Sequence, residues 1–291
     1  AIESKINQFE ADVRDAASSN NIWRITRRLT KPQVNKSQQP IHTISGLKYN
    51  PIDKAEAIAD YLQDLYKEPS QNGISTDLNF DTFPQNSNSL SVQTPIPHVT
   101  PSEVKREIKS LKSSKSPGPD GISNLVLKNM PHKTVCHITK IFNSALKLEY
   151  FPKCWRHAHI ITIPKSNKNS CSPQNRRPIS LLDTHGKLLE KIILRRLLPY
   201  STEIIPPWQT AFQKGRSVNH NLLALVEDVT KGFNTQSYTA AIFLDVQKAF
   251  DKVWHKGLLF KLKCFLPKYL TSIIASFLEN RTFQAKIDGA L

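Results

Sequence analysis

A short run of small and strand-forming residues, Ala240-Ala-Ile-Phe-Leu244, stops on an acid, Asp245. Turn-forming residues from Gly232 to Ser237 bound it upstream, so the run reads as a buried strand. Five residues past Asp245, Phe250 is followed at once by a second acid, Asp251, which gives the pattern D-x4-F-D on a strand and the turn that leaves it. Such a strand end can hold a cation. Asp245 supplies a carboxylate, Val246 beside it a backbone carbonyl, and hard divalent ions take oxygen ligands. Chemistry that moves a phosphoryl group between two metal ions needs ligands held in this way. A simpler reading is that Asp245 ends the strand and caps the helix suggested by Val253 to Phe265, since Asp is common in turns and at helix starts. A pattern this short fits both.

Charge narrows the partners. Residues 1–98 hold 10 Lys and Arg against 11 Asp and Glu, whereas residues 99–291 hold 30 against 13. The net +16 of the 291 residues is therefore confined to the second part. That excess suits a polyanion, most simply nucleic acid, more than it suits solvated helix faces alone. No apolar run reaches the ~18 residues that a membrane-spanning helix requires, so no membrane partner is expected. The chain opens on Ala1 with no basic-apolar-small signal layout, and reads as a segment of something longer. Four cysteines without a C-x-x-C pair point to an intracellular, reduced protein with no disulfide partner. Cys154, His157, His159 and Cys171 could be assembled into a zinc set, but their spacing matches none of the usual ligand pairs.

In chain order, Ile2, Ile6, Phe9 and Val13, then Ile22, Trp23, Ile25 and Leu29, predict two modest helices ending before Pro32. Asp53-Lys-Ala-Glu56 forms a capping box for a helix with Ile58, Leu62, Leu65 and Tyr66 on one face, ending near Lys67. Ser70 to His98 is rich in Ser, Asn, Gln, Thr and Pro and reads as a connector and domain boundary. Thr100-Pro-Ser-Glu103 starts another helix, with Val104, Ile108 and Leu111 inward. It runs into Lys115-Ser-Pro-Gly-Pro-Asp-Gly-Ile122. Two prolines and two glycines fix a specific loop there, leaving amides and a lysine for a phosphate backbone, where a plain helix connector would need only one Pro-Gly. Val135, Ile138, Ile141, Phe142 and Ala145 continue helical.

His157 to Ile163 alternates as a strand and ends at Pro164-Lys165, and Arg176-Arg-Pro-Ile-Ser-Leu-Leu182 starts a second. Lys165 and Arg177 then face one space across a hairpin, where two cations can grip a triphosphate or simply be solvated. Thr184 begins a helix through Leu188, Leu189, Ile192 and Ile193, followed by Pro199. Trp208 to Ser217 forms an aromatic and basic loop, the kind of surface on which single-stranded nucleic acid stacks. Ser217 caps the helix that leads to the opening strand. Trp254–Phe265 and Tyr269–Leu278 read as helices, and Thr282–Ile287 as a strand turned by Asp288-Gly289.

Five motifs, in order, resemble the reverse transcriptases of non-LTR retrotransposons, most closely the jockey group: Lys115 to Ile122, Ile163-Pro-Lys165, Arg177 to Leu182, Phe212-Gln-Lys-Gly-Arg-Ser217 and Phe243 to His255. The resemblance covers roughly residues 100 to 291. It implies an α+β fold of right-hand polymerase fingers and a partial palm, preceded by a mainly helical connector. The domains expected are an upstream segment at 1–69, a linker at 70–98, fingers at 99–238 and partial palm at 239–291. By resemblance, Asp245 is the first catalytic aspartate, and Asp245 with the Val246 carbonyl holds Mg2+ of a two-metal site. Lys165 and Arg177 hold the triphosphate, and Phe250 is the steric gate under the sugar. Lys115, Gly118, Asp120 and Gly121 lean on template, as do Phe212, Lys214 and Arg216. Arg176 departs from the family, which usually has Tyr there. The partners implied are an RNA template, a DNA primer and dNTP, in the nucleus, with a cytoplasmic stage of particle assembly. The family's aromatic-Ala-Asp-Asp turn is expected downstream, so this chain alone is expected to lack polymerase activity. A noncatalytic RNA-binding remnant is the alternative.

Overall fold

The structure, a computed structural model, describes residues 39–43, 46–67, 95–165 and 169–290. The chain divides into two units, residues 1–40 and 41–291, and the described residues fall almost wholly in the second. The helices expected before Pro32 and most of the 70–98 connector lie outside the described residues. The order is β1 (Ile41–Thr43), β2 (Gly46–Lys48), α1 (Pro51–Leu65), α2 (Pro101–Ser110), α3 (Asn124–Lys128), α4 (His132–Lys147), β3 (His157–Pro164), β4 (Arg176–Leu181), α5 (Thr184–Ile204), α6 (Val218–Asn234), α7 (His255–Lys263), α8 (Lys268–Leu278) and β5 (Thr282–Ala285). This is the mixed α+β class that the pattern of elements predicts.

The main core is helical. Val104 and Ile108 of α2, Ile138 and Phe142 of α4, Leu188, Leu189 and Ile192 of α5, and Leu270 and Ile273 of α8 share one buried cluster. Each such side chain contributes about 1.5–3 kcal/mol by leaving water. Thr100 caps α2 as expected, its Oγ1 accepting the Glu103 amide at 3.2 Å. Glu103 reaches α5, where Arg196 donates to Oε2 at 2.9 Å. That bond holds the Glu103 carboxyl below its usual range, against the opposing effect of burial. Glu107, itself buried, pairs with Arg195 and Lys191 one turn on. Phe151 meets Phe277 edge-on at 4.9 Å and Trp155 at 6.2 Å, and its amide donates to Ser276 Oγ at 3.0 Å, tying α8 to the approach to β3.

The sheet has the order β4-β3-β5, antiparallel between β3 and β4 and parallel between β3 and β5. One face of β3, carrying Ile160, joins Ala55, Ile58 and Leu62 of α1, Ile41 of β1 and Ala285 of β5 in a second core. The buried Lys54 of α1 pairs with Asp288 at 3.7 Å in the turn after β5. The segment 41–65 is therefore part of the sheet's packing.

Four expectations change. Helix α1 starts at Pro51, with Asn50 as its cap accepting the Ile52 amide at 3.2 Å, two residues before the Asp53 box. Proline suits the first helical turn, where its missing N–H would have had no partner. Helix α5 runs through Pro199 to Ile204; a proline removes one ladder bond and need not end a helix that is packed elsewhere. The strand expected to run on to Ile287 ends at Ala285, and Ile287 bridges Ala290 around Asp288-Gly289. The largest change is at residues 240–245, which form no strand. Ile242, Phe243 and Leu244 are 86, 82 and 90% exposed. A strand exists only through the partner that satisfies its backbone groups, and no described segment pairs with this run.

Candidate active site

Two regions carry the residues singled out by sequence. The first is the loop 115–122. Gly118 is buried so closely on the Leu182–Asp183 backbone that a Cβ there would overlap the Asp183 amide nitrogen and the Leu182 carbonyl carbon. The Asp120 amide donates to Asp183 Oδ1 at 3.0 Å, and Asp120 Oδ1 accepts the Ile122 amide at 3.0 Å. Gly121 has φ +68, the left-handed region open to glycine. Asn124 completes the clasp, donating to the Lys112 carbonyl at 2.8 Å and accepting from Thr184 at 2.9 Å. Of the four template candidates here, Lys115 and Gly121 are exposed, Asp120 is exposed but engaged in its own turn, and Gly118 faces inward. Asp183 occupies the cap position of α5, its backbone carbonyl accepting the Lys187 amide at 3.2 Å while its carboxylate makes no cap bond and serves the loop instead. Burial pushes its carboxyl above the usual range.

Next to this loop lies the β3–β4 hairpin. Arg177 pairs with Ile163, and the Lys165 amide extends the ladder by donating to Asn175 at 2.8 Å. Directly opposed residues share a face and alternate residues repeat it, so Lys165 and Arg177 lie on the same face. The Lys165 ammonium donates to the Gln174 carbonyl at 2.8 Å. The same face, through Ile161, Ile179 and Leu181, walls a cavity of about 1010 Å3 whose rim carries Lys112, Lys115, Lys187 and Lys191. Glu190 also lines it, its carboxyl raised by burial against the opposing pull of Arg281 and Lys187. Arg176, on the opposite face, donates to Thr162 Oγ1 at 2.8 Å and to the Ser170 carbonyl at 3.1 Å. The hairpin and the loop 169–175 are thus tied by the residue that departs from the family pattern.

The second region is the exposed chain from Trp208 to Trp254. Phe212, Lys214 and Arg216 are all exposed. Phe212 takes φ +61, a conformation that a bulky L-residue rarely adopts. Asp245 and Val246 are exposed on the run without regular structure, and Phe250 follows in the turn 247–252. Helix α7 begins only at His255 with Trp254 as its cap residue, so Asp245 does not cap it. Phe212 and Phe250 meet edge-to-face, ring centres 5.7 Å apart at 88°. From the other side, Lys248 Nζ donates to the Tyr61 hydroxyl of α1 at 3.3 Å and lies 5.4 Å above that ring. Burial, then the neighbouring Asp251 carboxylate, raises the Tyr66 phenol.

Residues 163–289 match the family described as reverse transcriptase (RNA-dependent DNA polymerase). They belong to that family. The chain is 34% identical over 277 residues to the RNA-directed DNA polymerase from mobile element jockey of Drosophila melanogaster, covering 94% of this chain and 30% of that protein. It is 33% identical over 287 residues to the jockey polymerase of Drosophila funebris, covering 94% and 30%, and 33% identical over 288 residues to the transposon BS protein of Drosophila melanogaster, covering 98% and 31%. The chain thus spans under a third of the length of these relatives.

Reverse transcriptases use divalent metal ions. Asp245 and the Val246 carbonyl are hard oxygen donors, the class that Mg2+ takes alongside water and phosphate oxygens. They fit as one carboxylate and one carbonyl, while the described residues bring no group of three or more His, Cys, Asp or Glu side chains together. The described residues contain no helix long and apolar enough to cross a membrane. Sequence reasoning missed Asp183 and Tyr61. Asp183 stood in plain view as the acid before Thr184, a cap position by pattern. Nothing in the sequence ties Tyr61 to Lys248, 187 positions away.

Proposed function

We propose that this chain is part of a reverse transcriptase that copies a non-LTR element's RNA into DNA, using an RNA template, a DNA primer and dNTP, with the nucleus as its place of action. In this reading the helical body, loop 115–122 and the β3–β4 hairpin are fingers, and residues 239–254 begin the palm. Asp245 and the Val246 carbonyl would hold Mg2+, which supplies charge neutralisation to the transferring phosphoryl group. Lys165 and Arg177 steer the triphosphate from the hairpin face, and Phe250 stands where the sugar lies. Lys115, Gly121, Lys214 and Arg216 offer charge and amides to template phosphates, while Phe212 offers a ring to a base. The observation that carries the reading is Asp245 itself: an exposed carboxylate inside the matched domain, five residues before an exposed Phe.

The test uses the isolated chain. Its affinity for single-stranded RNA is expected to fall linearly in log–log form with salt, with slope about −0.7 per phosphate neutralised. RNA affinity that is the same at low and high salt would remove the template reading.

A further inference from the structure

Phe250 is 77% exposed, so packing against a core does not set where its ring points. Two described contacts do. The backbone of its turn is held through Lys248, which has φ +55 and reaches Tyr61 of α1, and the Asp251 and Lys252 amides both donate to the Lys248 carbonyl, at 3.0 and 3.1 Å. The ring itself meets Phe212 at 5.7 Å, nearly perpendicular. Phe212 is 91% exposed and sits at φ +61, so neither burial nor backbone preference explains its place. Its loop is held by tight turns, with the Gln213 amide donating to Thr210 at 3.4 Å and the Arg216 amide to Gln213 at 3.2 Å, and by the Thr210–Asn221 hydrogen bond of 2.6 Å to α6. Unfavourable backbone conformations persist where surrounding structure enforces them, and such sites gather at ligand clamps. Edge-to-face rings also attract with a defined geometry.

We propose that Phe212 is the positioning residue that orients the Phe250 ring, and through it a determinant of sugar specificity, an inference that rests on Phe250 facing the nucleotide sugar. Phe212 touches neither the sugar nor the metal in this account; it fixes the side-chain rotation of the ring that excludes a 2′-hydroxyl. Without it, Phe250 swings on an anchored turn and admits the ribose more often.

The test compares kcat/KM for dNTP and rNTP in a full-length reverse transcriptase containing this chain, with Phe212→Leu, Phe212→Tyr, Phe250→Val and the double variant Phe212→Leu/Phe250→Val. Phe212→Leu is expected to lower the dNTP-to-rNTP ratio about two- to tenfold. Phe212→Tyr, which keeps the ring, leaves the ratio in place, and Phe212→Leu adds nothing once Phe250 is Val, because coupled residues are not additive. A ratio that moves with Phe250→Val and not with Phe212→Leu overturns the proposal while Phe250 remains the gate. A ratio unmoved by Phe250→Val overturns the gate and the proposal with it. An equal fall for both substrates in Phe212→Leu, with the ratio unmoved, leaves Phe212 to template stacking or packing and also overturns it. In the isolated chain, 4-fluorophenylalanine placed at position 250 should show a shifted 19F resonance when Phe212 becomes Leu; an unchanged resonance overturns the proposal independently of activity.

Discussion

The helical body around α2, α4, α5 and α8 and the exposed chain from 208 to 254 use the same residue types to opposite ends. Phe142 and Leu270 are fully buried, while Phe243 and Leu244 lie open to solvent. The loop 115–122 is fastened by Asp183 and Asn124, whereas Asp245 stands on a run with no ladder. An amphipathic helix finds its partners through its own periodicity and needs only a complementary stripe. A strand has no independent existence, since its backbone groups require another strand at hydrogen-bonding distance. On the proposed roles, Lys165 and Arg177 are held on one face by the β3–β4 ladder, while Asp245, Phe250 and the template candidates Phe212, Lys214 and Arg216 sit on the exposed chain, where residues 240–245 form no strand.

The sharpest way to break this contrast is a pair of truncations. Phe142→Ala is expected to cost about 3–5 kcal/mol in urea unfolding through lost burial and a cavity. Phe243→Ala is expected to change stability by about 0.5 kcal/mol or less, as exposed positions do. Equal costs would mean that the exposed run packs in solution. Glycine substitutions sharpen the same point. Gly118→Ala should cost about 1–3 kcal/mol, because the new methyl meets backbone that cannot move aside. Gly215→Ala meets open space and bears only its φ of +77, for about 1 kcal/mol. A smaller effect is expected from pH. Arg196 depresses the Glu103 carboxyl in the folded state, so its stabilisation is complete above the unfolded value of about 4.3 and is lost as pH falls through the lower folded value. Wild-type unfolding midpoints should therefore drop more steeply below pH ~4 than those of Glu103→Gln; parallel curves would show that the pair contributes nothing.

What the sequence made legible follows the same division. The stripe Val104, Ile108, with Thr100 as cap, foretold α2, and the alternation from His157 to Ile163 foretold β3, because both signals are local. Of the D-x4-F-D pattern, read as a strand and the turn leaving it, the turn at 247–252 is present and the strand is not. The failure at 240–245 came from reading an apolar run as proof of a strand whose partner the local pattern cannot supply. The parallel pairing of β3 with β5 was equally out of reach, since His157 opposite Thr282 is a register set by tertiary packing. At the site, Gly118 read as open to template is instead pressed on Asp183, a distinction invisible in a Pro-Gly-Pro pattern. Arg176 in place of a family tyrosine made the hairpin's packing unreadable from sequence, and its guanidinium proves to be the tie.

The proposal that Asp245 holds metal and does not grip template is tested most directly by Asp245→Asn in a full-length reverse transcriptase containing this chain, read as single-nucleotide incorporation on an RNA template beside RNA affinity at fixed salt. Turnover is expected to fall by on the order of 10^2–10^3 or more, because the proposed metal ligand is lost, while RNA affinity stays within about twofold, because the substitution leaves the Lys and Arg side chains proposed to meet phosphate in place. Near-normal turnover, or a loss of RNA affinity that matches the loss of turnover, would contradict it.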